Sequence, residues 1–167
     1  MRPFVLIALL GIAATGYAVT VPEAYRLIPH RQTPFQAATA RMPASERNYL
    51  VAFFHAVDQA IVAKVSARRE TTVAQAYAPV WSAWEQLKPP PALKATQEKV
   101  KAAIQDQQAF LLQVENGQSN WNMTHPKVRS SSANLQSAYA DLMRLYPSEN
   151  AINLQAFFDY LCALDFV

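Results

Sequence analysis

The sequence predicts an all-α protein, a four-helix-type bundle, from three observations. Alanine is abundant, whereas glycine occurs only three times in 167 residues, and Gly117 alone lies beyond residue 18. Tight hairpins need residues that accept positive φ, so scarce glycine argues against an antiparallel sheet. Apolar residues recur at spacings of three and four, and no segment alternates apolar with polar residues. The 11 prolines separate these periodic segments from one another.

The N-terminal residues 1–18 have the pattern of a secretory signal. Arg2 precedes an apolar run, and small residues at Gly16 and Ala18 predict cleavage after Ala18. The uncharged stretch 4–21 also reaches the lower length limit of a bilayer span, so an uncleaved signal anchor is the alternative. Both alternatives predict an exported protein, either periplasmic or anchored to the inner membrane and facing the periplasm.

Residues 19–43 are predicted to be a proline-rich tether. Four prolines between residues 22 and 43 prevent one continuous helix, although a short helix is expected near 34–41. The tether is interpreted as a solvated linker. If the N-terminus stays in the membrane, three arginines of this segment are close enough to touch anionic headgroups: Arg26, Arg31 and Arg41.

The remaining residues, 44–167, are predicted to form the bundle domain. A first helix opens behind Pro43 and reaches about Arg69, with one apolar stripe along it: Leu50, Phe54, Val57, Ile61 and Val65. A second stripe follows: Val73, Tyr77, Val80 or Trp81, Trp84 and Leu87. Because Pro79 interrupts the second stripe, this helix is expected to be kinked or split.

Two further helices and a short last one complete the predicted bundle. One helix is predicted from Pro91 to Glu115, and Gly117 is expected to terminate it. Another helix begins near Pro126 and ends at Tyr146. Ser148 and Glu149 are expected to cap the last helix, whose inward residues are Leu154, Phe157 or Phe158, Leu161 and Leu164. Short connections favour antiparallel neighbours among four principal helices.

Composition and motifs argue against most enzyme classes. One glycine after residue 18 cannot supply a phosphate-binding loop, a dinucleotide fingerprint or a nucleophile elbow. The consecutive serines 130–132 are typical of a helix start, and no carboxylate pair stands out. We therefore expect no enzymatic activity. The net charge of +3, spread along the chain, also argues against a nucleic-acid partner.

No metal or cofactor is predicted from the ligand-type residues. The Glu-x-x-His pairs of di-iron bundles are absent, and the pair His55 and Asp58 shares a helix face without a third ligand. No haem-attachment motif surrounds Cys162, the one cysteine. We expect this thiol to pack as a small buried side chain, with an intermolecular disulfide as the alternative.

Five residues remain as candidates for binding. Four of them are aromatic or amide side chains of the predicted helices: Trp81, Trp84, Gln107 and Tyr139. They would line a ligand pocket between helices, or else they belong to the core or the surface. Trp121 stands alone in the polar loop 116–126, where it would serve as a recognition anchor or fold back over the core.

The sequence therefore predicts a non-enzymatic protein of the bacterial envelope. We expect a binding or assembly module, an accessory subunit of a membrane-associated complex, with a protein partner in the envelope. The membrane is a second partner if the N-terminal segment is uncleaved. The alternative is a periplasmic helical bundle that binds a small ligand or cofactor.

Overall fold

The computed structural model describes residues 19–28, 30–69 and 71–166, and the predicted signal or anchor segment, 1–18, lies outside them. The all-α prediction is confirmed, because the described residues contain six α-helices and no strand. The helices are α1 (Val21–Leu27), α2 (Ala44–Ser66), α3 (Val73–Glu85), α4 (Lys94–Glu115), α5 (Pro126–Leu145) and α6 (Ala151–Leu164).

Helices α2 to α6 pack in a closed ring, each against the next and α6 back against α2, while α1 lies on α2. Two pairs, Lys99 with Asp141 and Asp106 with Lys127, show that α4 and α5 are antiparallel. By contrast, α2 and α6 are parallel, since Phe54 stacks on Phe157 and Lys64 reaches Leu164 further along both helices. Because the ring has an odd number of helices, their directions cannot alternate all the way round, and one neighbouring pair must be parallel.

The apolar stripe predicted along the first helix is buried in α2. Its five members, Leu50 to Val65, are at most 6% exposed. By length and composition α2 could span a membrane, but most of the helix is buried inside the protein, as expected of a core helix. Phe54 lies at the centre of an aromatic cluster with Phe35, Phe157 and Tyr160. The cluster joins α2 to α6.

Several predicted helix boundaries change. Helix α2 ends at Ser66 rather than Arg69. Helix α3 passes through Pro79 as one helix, so the split that was left open does not occur. Its start is fixed by a capping box between Thr72 and Gln75. The cap of α6 is Asn150, not Ser148 and Glu149, because the Asn150 side chain accepts the Asn153 N–H at 2.9 Å.

Gly117 ends α4 as predicted. Its φ is +67°, and the Gln118 N–H donates to the Gln113 carbonyl at 2.8 Å. These are the positive φ and the six-to-one hydrogen bond of a Schellman motif. A 3₁₀ turn, Pro91–Leu93, leads directly into α4, close to the predicted start at Pro91.

The predicted tether packs against the protein instead of lying free in solvent. Its first part forms α1, where Thr20 caps the helix and Pro22 occupies the first turn. Residues 30–43, called the strap from here on, lie on α6, where the Gln36 N–H donates to Asn153 at 2.7 Å. The Arg41 N–H donates to Glu149, also at 2.7 Å. The short helix expected near 34–41 is a single 3₁₀ turn, Ala37–Thr39.

Candidate interaction site

Helix α6 packs an apolar face into the core, and it also exposes two large apolar residues and buries two polar ones. Ile152 is 46% exposed and Phe158 is 43% exposed. Its polar Asn153 and Asp159 are at most 2% exposed. Inside the protein Asn153 bonds to the strap, and Asp159 accepts the Gln155 amide N–H at 2.7 Å. The outer face of a surface helix is normally polar, so the two exposed apolar side chains make the outer face of α6 the first candidate for a binding surface.

An open groove runs between α5 and α6 beside Phe158. One depression is about 200 Å³ in volume and is lined mainly by apolar side chains: Leu135, Gln136, Tyr139, Phe158, Leu161, Cys162 and Asp165. A second depression continues along α6 past Leu154 and Ala151. Together these depressions are called the α5–α6 groove.

Phe158 is held at the rim of the α5–α6 groove by two edge-to-face contacts. Its ring centroid lies 5.7 Å from that of Tyr139 and 6.4 Å from that of His30. The two helix segments flanking it, 130–140 and 151–158, contain no charged residue. The rim is therefore a positioned, uncharged aromatic surface.

The four predicted pocket residues lie in separate surroundings. Tyr139 lines the α5–α6 groove. Trp84 is buried against Phe53, and the Trp81 Nε1–H donates to Gln108 at 2.8 Å. The Gln107 side chain is fully buried and donates to the Leu164 carbonyl at 2.7 Å. Only Tyr139 therefore belongs to the groove.

Trp121 folds back over one end of the ring and keeps 40% of its surface exposed. Its ring lies 5.4 Å from Phe110 and 5.6 Å from Phe166. The Arg68 guanidinium stacks over the same ring at 4.2 Å. The exposed part of Trp121 thus borders a cation.

Beneath Trp121, Lys64 is buried and binds the end of α6. Its Nζ donates to the carbonyls of Ala163 and Leu164, both at 2.9 Å, and to that of Asp165. These carbonyls lack the next helical turn, so the ammonium takes the role of a C-terminal cap. Burial lowers the pKa of Lys64 to about 7, and the Asp165 carboxylate opposes that decrease.

A partly buried polar contact joins α1 to α2. The Tyr25 hydroxyl donates to Asp58 at 3.0 Å. Burial raises the pKa of Asp58 to about 6, while the Tyr25 hydrogen bond and His55 act in the opposite direction. Burial and the nearby Asp58 carboxylate raise the pKa of Tyr25 well above its ordinary value. Asp58 therefore serves to fasten α1.

Ligand-type residues do not assemble further in the described ranges. Within them, no group of three or more His, Cys, Asp or Glu side chains is placed to hold a metal ion. Asp58 is occupied by Tyr25, and the neighbouring His55 is exposed. Cys162 is a partly buried free thiol in the α5–α6 groove, and burial raises its pKa.

Sequence reasoning missed Phe158 and Lys64. It treated Phe157 and Phe158 as equivalent, but Phe157 is fully buried and Phe158 is exposed. The spacing of Ile152, Gln155 and Phe158 is a second stripe that could have identified the outer face of α6. The burial of Lys64 has no such signal, because it depends on where the end of α6 arrives.

No protein-family model, curated protein or solved structure matches this chain.

Proposed function

We propose that this protein is a non-enzymatic binding or assembly module of the bacterial envelope. We further propose that it docks an uncharged, apolar helix of a partner subunit in the α5–α6 groove. The observation behind this proposal is the outer face of α6, which exposes Phe158, a residue that lines the groove, and Ile152. Covering apolar surface contributes about 25 cal/mol per Å², and aromatic side chains at such surfaces commonly act as anchors.

The shape and charge of the α5–α6 groove favour a helix as the occupant. A groove between two packed helices accepts the side-chain ridge of a third helix. A charged partner residue would lose its hydration against segments 130–140 and 151–158, which carry no charge. The one carboxylate lining the described groove, Asp165, already accepts hydrogen bonds from Ser132 and from the Phe166 N–H. The chemistry of the groove therefore selects an apolar face.

The envelope location is supported by the sequence of residues 1–18, which has the pattern of a signal peptide or signal anchor. We propose that the four principal helices of the predicted four-helix-type bundle are α2, α3, α4 and α5, with α6 as the short last helix. Side chains of α2, α4 and α5 meet around the end of α6, where Lys64 and Gln107 bind the Leu164 carbonyl and Ser132 donates to Asp165 at 2.6 Å.

In-cell photo-crosslinking tests the docking proposal. Benzoylphenylalanine replaces Gln155, which is exposed in the groove, and separately replaces Val51, which is 48% exposed on α2. We expect a single identified protein adduct from position 155, none from position 51, and loss of the adduct when F158D is added.

Five results would overturn the proposal. Four of them are the absence of an adduct, identical adducts from both positions, an adduct that persists in F158D, and an adduct to lipid or small molecules only. The fifth is an adduct to a second copy of this chain, which would show that the groove mediates self-association and does not bind a partner subunit.

A further inference from the structure

One end of the helix ring combines exposed apolar residues with arginines. Helices α2, α4 and α6 finish at this end, and the loop 116–125 crosses it. Three large apolar side chains are exposed on or beside this end: Leu27 at 41%, Trp121 at 40% and Met123 at 43%. Neither Trp121 nor Leu27 borders the α5–α6 groove.

A cavity of about 320 Å³ opens beside these residues. It is lined by Leu27, Ile28, Val65, Arg68 and Arg69. The stacking of Arg68 on Trp121 positions one guanidinium at its border. Within the described ranges, no carboxylate lies within salt-bridge distance of Arg68 or Arg69. Both arginines are exposed to solvent beside the cavity.

We infer that this end of the ring lies on an anionic phospholipid surface, with a lipid phosphate between Arg68 and Arg69. Guanidinium groups bind phosphate oxygens in pairs, and a tryptophan ring favours the membrane interface. Leu27 and Ile28 supply apolar contact on the same cavity, which a free phosphate ion could not use. The combined charge and apolar surface therefore select a lipid.

The position of α1 in the chain also supports contact between this end of the ring and a membrane. Helix α1 begins at Val21, directly after the apolar run proposed as a signal or anchor. Exposed Arg26 adds a third cation close to Leu27. Each basic residue near an anionic surface contributes about 1 kcal/mol, or about a fivefold increase in affinity. This contact leaves the α5–α6 groove free for its protein partner.

Fluorescence quenching of Trp121 in reconstituted vesicles tests the inference. The full chain is reconstituted in phosphatidylcholine vesicles, with or without phosphatidylglycerol, that contain doxyl-labelled lipid. We expect stronger quenching in the anionic vesicles and no such difference in W121F. The double variant R68Q/R69Q loses the difference, while R69Q, which leaves the Arg68–Trp121 stack in place, reduces it. The matched control R47Q/R144Q, at the opposite end of the ring, keeps it.

Equal quenching of the wild-type protein in both vesicle types would overturn the inference, as would an unchanged difference in R68Q/R69Q. Circular dichroism of each variant checks that the helices remain formed. The groove variant F158D should quench like the wild type. Failure of the lipid contact is therefore distinguishable from failure of the docking proposal.

Discussion

At the scale of single residues, buried polar side chains hold this protein together at the positions where helices end or meet. Lys64 donates to three carbonyls at the end of α6, and Gln107 donates to one of them. A buried ammonium is costly to desolvate, but its hydrogen bonds offset that cost, and a side chain without donors would leave the carbonyls of Ala163 and Asp165 unpaired.

Replacing Lys64 with methionine tests this role. We expect K64M to lower the free energy of unfolding by about 2–4 kcal/mol, because the carbonyls of Ala163 and Asp165 lose their donor. Urea denaturation measures the change, with K101M, at a partly exposed lysine of α4, as the control. A loss below about 0.5 kcal/mol, the range of ordinary surface substitutions, would show that Lys64 does not act as a cap.

Asp58 gives the protein a distinct pH dependence. Its pKa is raised to about 6 in the folded protein, so the folded state binds more protons than the unfolded state between about pH 4 and 6. Stability therefore falls as the pH rises through this window. D58N retains an oxygen that accepts from Tyr25 and lacks the ionisation.

We expect the stability of D58N relative to wild type to increase by about 1–2 kcal/mol from pH 4 to pH 7, since Asp58 is partly solvated. Unfolding curves at both pH values measure the difference. E85Q, at an exposed carboxylate of α3, serves as the control. A D58N difference that is the same at both pH values would contradict the assignment.

At the scale of elements, helices with long periodic stripes could be predicted from the sequence, and elements set by tertiary contacts could not. The stripe of α2 and the glycine end of α4 follow from local chemistry. Helix α1 and the strap were taken for a tether because their prolines exclude a long helix. Asn153 and Glu149 hold the strap from more than 100 residues away, and no local pattern reports such contacts.

Gly117 provides a test of the terminating motif of α4. Its φ is +67°, and no neighbouring atom would meet an added Cβ. G117A should therefore cost about 1 kcal/mol through backbone strain alone. Thermal unfolding measures the loss, and G117N, which tolerates the left-handed region better, should recover part of it. Equal stability of G117A and wild type would contradict the motif.

At the scale of the whole molecule, one part of the candidate site was visible in the sequence and the rest was not. Tyr139 was predicted to face a binding pocket and lines the α5–α6 groove. Trp81, Trp84 and Gln107 were grouped with it by residue type, yet each bonds or packs elsewhere in the ring. Which residues share a face between two helices depends on how those helices pack, and spacing within one helix does not determine that.

Variants of the adjacent Phe157 and Phe158 of α6 distinguish a residue needed for folding from one proposed for binding. Phe157 is fully buried, so F157A should cost about 3–5 kcal/mol of unfolding free energy. Phe158 is 43% exposed and makes two edge-to-face contacts, so F158D should cost less, about 1–2 kcal/mol. Denaturation of both variants measures these changes. A large loss in F158D would mean that Phe158 is a structural residue instead of a docking residue.

The central claim is that the α5–α6 groove binds an apolar helix of a partner subunit. The yield of the photo-adduct from position 155, in cells carrying Phe158 or F158D, tests it most directly. The account predicts one discrete partner adduct with Phe158 and its loss in a stably folded F158D. An equal yield from both proteins would contradict the claim.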